Sequence, residues 1–242
     1  MRKYFKNIEN CSNLNYKSGS SIVVAHDFYV LSAIVVSKCS FIQDQIQQII
    51  YRTHGRELLG AKRALKNFPN PKSRVDFLCS YPYSNNDNTI KIVFDYVRTI
   101  FSNLYELRNI LSHEVWFSSD DFPSKVLFHT LDENSKLLMA QGKIWHDEDA
   151  GAQYTYDAII KFIKSVKVID KFDLEMSIKD IDVCSWSLMI ISGILDCDDE
   201  ERREAARQSF LVFRGTSHLF DEAPASPGGV EFSSSRNKTI NQ

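Results

Sequence analysis

Residues 25–52 read AHDFYVLSAIVVSKCSFIQDQIQQIIYR. Phe28, Leu31, Val35, Cys39, Ile42, Ile46 and Ile49 recur in this stretch at steps of three and four. Such steps line one face of an α-helix. The spacing predicts a helix from about Ala25 to Arg52, long enough to pack along most of a domain. A second seam, Val93, Val97, Ile100, Leu104, Leu107 and Leu111, predicts a partner helix over Thr89–Ser112. Two long matched stripes, in a chain with only 9 Gly and 6 Pro, point to an all-α antiparallel helical bundle.

Working outward, residues 1–21 are rich in Asn, Ser and Lys and read as a loose lead-in. Between the two long helices, Pro69 and Pro71 punctuate residues 52–74, and a short helix is expected around Glu57–Lys66. Ser84–Asn88 reads as a loop that offers helix N-caps. Beyond Trp116, Lys125–Leu131 and Ser135–Ala140 flank Asp132-Glu133-Asn134, which predicts a small β-hairpin insertion. Ile159, Phe162, Ile163, Val166 and Ile169 mark a helix over 147–172, and two more helices are expected within 180–214. Val183–Leu195 is apolar nearly all round, as in a buried or interface helix. From Asp221 the chain turns Pro-, Gly- and Ser-rich, the composition of a disordered tail. The expected organisation is a lead-in (1–21), a bundle (22–178), a C-terminal helical extension (179–220) and the tail (221–242).

Composition narrows the function classes. The formal net charge of −2 argues against a protein that coats nucleic acid, so any such contact must be local. One local basic run exists: Arg52, Arg56, Lys62, Arg63, Lys66, Lys72 and Arg74 face a single acid, Glu57. It is first a solvated surface and second an RNA-contacting patch. The five cysteines are odd in number and widely spaced, with no C-x-x-C, which supports neither a zinc site nor a redox pair. His26, His54, His129, His146 and His218 show no metal-ligand spacing, so no metal or cofactor is expected. The polar N-terminus and the short apolar stretches lead us to expect a soluble, cytoplasmic protein.

The chemistry-bearing segment is Arg108-Asn109-Ile110-Leu111-Ser112-His113, at the end of the second long helix. A guanidinium fits phosphate bidentately, and an imidazole exchanges a proton near neutral pH. Together, without a carboxylate pair, they suit phosphodiester transfer in RNA: the 2′-hydroxyl attacks, His acts as base or acid, and Arg stabilises the phosphorane. Five residues of ideal helix separate Arg108 from His113 by about 140°. That spacing calls for a distorted helix end or for a second chain. The plain alternatives are Arg108 paired with Glu106, and His113 settled on the helix dipole. Trp116 and Phe117 read first as anchors for the chain leaving the helix, and second as surfaces for a base.

The run LRNILSHEVW resembles the R-x4-H signature of HEPN domains, in which Arg is followed by a polar residue, often Asn, and closed by His. The resemblance covers about residues 25–172. It implies a HEPN-like bundle and a metal-independent endoribonuclease of the toxin or anti-phage defence kind. Arg108 and His113 would be catalytic, with Asn109 orienting them. It also implies a homodimer with the cleft between two motifs, RNA as substrate, and an antitoxin or defence partner. Many family members carry Ala-His-Gly where this chain has Ser112-His113-Glu114. A non-catalytic HEPN scaffold that binds RNA or a protein is therefore the second reading.

Overall fold

The computed structural model describes residues 3–8, 25–54, 57–81, 88–144, 148–196 and 200–212. The predicted seam of 25–52 forms helix α1 (His26–Thr53), and Phe28, Val35, Cys39, Ile42, Ile46 and Ile49 are all buried along it. The second seam forms α4 (Asn88–His113), with Val93, Val97, Leu104, Leu107 and Leu111 in the same core. The two helices run antiparallel. Cys39 lies 3.8 Å from the Leu104 carbonyl, while Phe28, at the start of α1, meets Trp116 just past the end of α4.

The third long element is α7 (Lys171–Asp196), which lies along α1 in the same direction. Lys171 pairs with Asp27 at 2.5 Å, Asp182 with Lys38, Ser185 with Gln45 at 3.0 Å, and Ser192 with Arg52. Ile181, Cys184, Leu188, Ile191 and Ile194 enter the core shared with α1 and α4. This corrects the expected boundary at 178/179, which falls inside one continuous helix. The first half of the extension completes the bundle. Val183–Leu195 is two-sided: its inner face is buried, while Trp186 and Met189 are exposed. Helix α8 (Glu200–Val212) packs on α7. The smaller helices α2 (Leu58–Asn67) and α3 (Pro71–Ser80) lie against the C-terminal end of α1. Helix α3 was not foreseen, although its start is explicit. Asn70 caps it by accepting from the Ser73 amide at 2.7 Å, and Pro71 occupies the first turn.

The expected hairpin is replaced by a four-stranded antiparallel sheet in the order β1-β4-β3-β2. Its strands are β1 (Lys6–Asn7), β2 (Val115–Phe117), β3 (Lys125–His129) and β4 (Lys167–Asp170). The presumed second hairpin strand is helical, within α5 (Leu131–Ile144). Thr130 decides this: its hydroxyl accepts from the Glu133 amide at 3.2 Å, so Asp132-Glu133-Asn134 forms a capped, acidic first helical turn. The helix expected over 147–172 also divides. Helix α6 (Glu148–Ser165) ends before β4, and Ile169 is a strand residue. Residues 3–8 are no loose lead-in. Tyr4, Phe5 and Ile8 are buried, and the Tyr4 hydroxyl donates to Asp180 at 2.6 Å.

The sheet is covered on both faces. Val126, Phe128 and Ile169 join the helical core, whereas Leu127, Val166 and Val168 join a second cluster with Phe117, Phe162 and Ile163. Strand side chains alternate between faces, so one strand serves two cores and its sequence loses the apolar–polar alternation of a half-exposed strand. The fold is thus mostly helical, with eight helices and one small antiparallel sheet among the described residues. No helix among them is long and apolar enough to cross a membrane. Arg56 and the Pro-rich 221–242 segment lie outside the described residues.

Candidate active site

Helix α4 keeps its register to the end: the Glu114 amide donates to the Ile110 carbonyl at 3.1 Å, and β2 starts at the next residue. The Trp116 indole N–H donates to the Leu111 carbonyl at 3.3 Å, satisfying one of the acceptors that a helix C-terminus leaves open. His113 is the last helical residue and is exposed, while Arg108 and Asn109 are half-buried.

Arg108 Nη1 donates to Asn109 Oδ1 at 3.1 Å and lies 3.2 Å from His113 Nε2. Arg and His therefore meet within one chain, on an undistorted helix. Side-chain length and tilt close the angular gap of about 140°. Helical Cα–Cβ bonds lean toward the N-terminus, so His113 leans back along the helix, and the long Arg108 side chain covers the rest of a rise of about 7.5 Å. A guanidinium has no acceptor, so His113 Nε2 must accept the bond, which places the proton of the neutral ring on Nδ1.

Arg108 is not paired with Glu106. Among the described residues, no carboxylate lies within ion-pair distance of its guanidinium, and its buried Nε has no hydrogen-bond partner. Its charge reaches α1. Burial pushes the Cys39 thiol up to about 12, and the Arg108 charge opposes that shift. A half-buried cation without a counter-anion is costly in isolation, and an incoming phosphate would relieve that cost.

Glu114, which stands where the resembled HEPN signature often has Gly, is engaged elsewhere. Its carboxylate pairs with Lys167 of β4, and their side chains are only 11% and 22% exposed. The Lys167 ammonium also sits 5.7 Å from the centre of the Phe5 ring. Glu114 thereby fastens the end of α4 to the sheet, and its charge is matched.

The six described residues of the basic run do not gather at this site. Arg74 is a structural clasp, donating to the carbonyls of Phe68 at 2.9 Å and Pro69 at 3.3 Å. Arg52 donates to the Ser192 side chain. Lys62, Arg63, Lys66 and Lys72 are exposed on α2 and α3. Those helices sit at the other end of the bundle, where Cys79 of α3 approaches the Phe94 carbonyl at 3.5 Å. From Phe94 to Arg108 is fourteen residues of helix, about 21 Å.

Two residues at the site were missed in the sequence. Lys167 is one. The other is Tyr29 of α1, whose ring stacks on Trp116 at 5.4 Å with an interplanar angle of 9°. Neither carries a sequence signal, because each meets the motif across a long chain separation. Among the described residues, no three His, Cys, Asp or Glu side chains cluster as metal ligands would. No protein-family model, curated protein or solved structure matches the chain.

Proposed function

We propose that this protein is a HEPN-type, metal-independent endoribonuclease that cleaves single-stranded or looped RNA in the cytoplasm, in a toxin–antitoxin or anti-phage setting. One observation carries the reading. Arg108, free of any carboxylate partner among the described residues, is hydrogen-bonded to both Asn109 and His113 at an exposed helix end. Phosphate arriving at Arg108 takes over its N–H donors and frees His113 Nε2. That nitrogen accepts the proton of the 2′-hydroxyl as its oxygen attacks phosphorus. The P–O5′ bond breaks, and the 5′-oxygen leaves with a proton, giving a 2′,3′-cyclic phosphate and a 5′-hydroxyl. Flexible RNA is favoured because attack in line with the leaving oxygen needs a pliant backbone.

One chain brings Arg to His, but the reaction uses a base and an acid. A twofold-related copy would add a second imidazole to protonate the leaving oxygen, so the proposal includes a homodimer. Purified protein incubated with looped RNA in EDTA is expected to yield cyclic-phosphate ends. Arg108→Ala and His113→Ala should each lower the rate by about a hundred- to ten-thousand-fold. Cleavage unchanged in both variants would overturn the proposal.

A second reading, a non-catalytic RNA-binding scaffold, draws on the exposed Lys62, Arg63, Lys66 and Lys72, carried by helices at the far end of the bundle from the motif. It expects RNA binding that weakens steeply with salt, without cleavage. Toxicity on overexpression that disappears with His113→Ala separates a toxin held by a partner protein from this scaffold.

A further inference from the structure

Trp116 is fixed from three sides. Its indole N–H is hydrogen-bonded to Leu111 at 3.3 Å, and it meets Phe28 (5.7 Å, 89°) and Phe128 (5.2 Å, 67°) edge to face. These are ordinary core geometries for aromatic pairs. Tyr29 is different. It lies flat on Trp116 and is 48% exposed, and its neighbour Val30 is 44% exposed. The result is a two-ring stack, anchored below and reachable from solvent above.

The stack follows the Arg–His pair closely along the chain. Trp116 follows His113 by three residues, so their Cα atoms are no more than about 11 Å apart. The acids beside these residues in the chain are both engaged: Glu114 pairs with Lys167, and Asp27 with Lys171 at 2.5 Å, a contact that holds the Asp27 carboxyl below the usual range. The site therefore combines an unmatched guanidinium, an imidazole and a flat aromatic face within a short span. A ligand with a phosphate at one end of such a span and a planar ring at the other is a nucleotide.

We propose that Tyr29, supported by Trp116, is the base-binding platform of this site, stacking one unpaired nucleobase beside the phosphodiester that Arg108 and His113 engage. The proposal rests on the ribonuclease reading for the nature of the ligand. It adds a specificity element: a preference for an unstacked base at the cleavage position, with little choice among bases, because every base presents a π-face. A base inside a duplex has both faces covered and would be refused.

The test uses the full-length protein and a fluorescein-labelled 2′-O-methyl oligouridylate, which has no free 2′-hydroxyl and cannot be cut. Anisotropy measures its affinity for the wild type, Tyr29→Ala, Tyr29→Leu and Tyr29→Phe. Tyr29→Ala and Tyr29→Leu are expected to bind about 5- to 150-fold more weakly, and Tyr29→Phe to bind like the wild type. Tyr29→Leu keeps the Trp116 face covered, so its loss of binding reports stacking rather than lost packing. An abasic strand of the same length is expected to bind all four proteins equally weakly. Affinity for the uridylate strand unchanged in Tyr29→Leu, or no binding by the wild type, would overturn the platform. Cleavage of natural RNA is scored separately. Cleavage that ignores Tyr29 leaves the ribonuclease reading standing and removes the platform, while Tyr29-dependent binding without cleavage does the reverse.

Discussion

Glu114 and Lys167 form the pair on which the end of α4 depends. Both side chains are mostly buried, and the second carboxylate oxygen of Glu114 has no hydrogen-bond partner. Removing one member of such a pair strands the other charge. Lys167→Met is expected to lower the unfolding free energy by about 2–4 kcal/mol in urea titrations, discounted for the remaining exposure. Adding Glu114→Gln to it should recover most of the loss. A Lys167→Met protein as stable as the wild type would show that Glu114 is solvated. A second residue-scale prediction concerns His129, which is fully buried against the rings of Phe117 and Phe162 and whose Nδ1–H donates to the Thr130 carbonyl at 3.0 Å. Burial holds this imidazole below its ordinary range, while the Thr130 bond and the nearby Glu114 carboxylate pull the other way. The unfolded chain takes up this proton near pH 6.5, the folded protein only at lower pH. Below about pH 6.5 the unfolded state holds more protons, so stability falls with falling pH until the folded imidazole is also protonated. Thermal midpoints should therefore drop across that window. His129→Asn, which retains an N–H donor, should flatten the drop. Arg108, Asn109 and His113 were legible in the sequence because six consecutive residues carry them. Tyr29 and Lys167 were not, because no local pattern records a contact across such a separation.

At the scale of elements, the long helices were readable and the short pieces were not. The α1 and α4 stripes repeat over about five to six turns, and one face of each is buried against a single core, so periodicity places them closely. Where the chain is buried on two faces, as in β3, the alternation that identifies a strand partner vanishes. Of its two neighbours, β2 precedes it closely in the chain, but β4 comes from a distant segment. The misassigned hairpin and the missed α3 share one cause: residues in the first turn of a helix, Asp132-Glu133-Asn134 and Pro71, also occur where elements break. Asn70 offers a direct check. Asn70→Ala should cost about 1 kcal/mol in the urea midpoint analysis, and Asn70→Ser or Asn70→Asp much less. Equal losses for all three would mean that the Ser73 amide bond contributes nothing to α3.

For the whole molecule, α7 carries the heaviest consequence of the corrected domain boundary. A chain ended at residue 178 loses Ile181, Cys184, Leu188, Ile191 and Ile194 from the main core. At about 1.5–3 kcal/mol for each large buried side chain, the loss rivals the 5–15 kcal/mol that holds a typical domain together. Such a truncated protein should show no cooperative thermal transition by circular dichroism. A sharp transition near the full-length midpoint would restore the two-part division. The gross architecture, a helical bundle, was legible from stripes and low Gly and Pro content. Its closure was not, because the decisive pairing joins two helices from opposite ends of the sequence.

That pairing also sets a clock. Asp27 meets Lys171 and Arg52 meets Ser192, so the side of α1 facing α7 waits for residues made some 140 positions later. At roughly 5–20 residues per second, a ribosome leaves that face uncovered for about 7 to 30 seconds. Throughout that interval the nascent chain presents an amphipathic helix without its partner, the kind of surface that chaperones exist to shield.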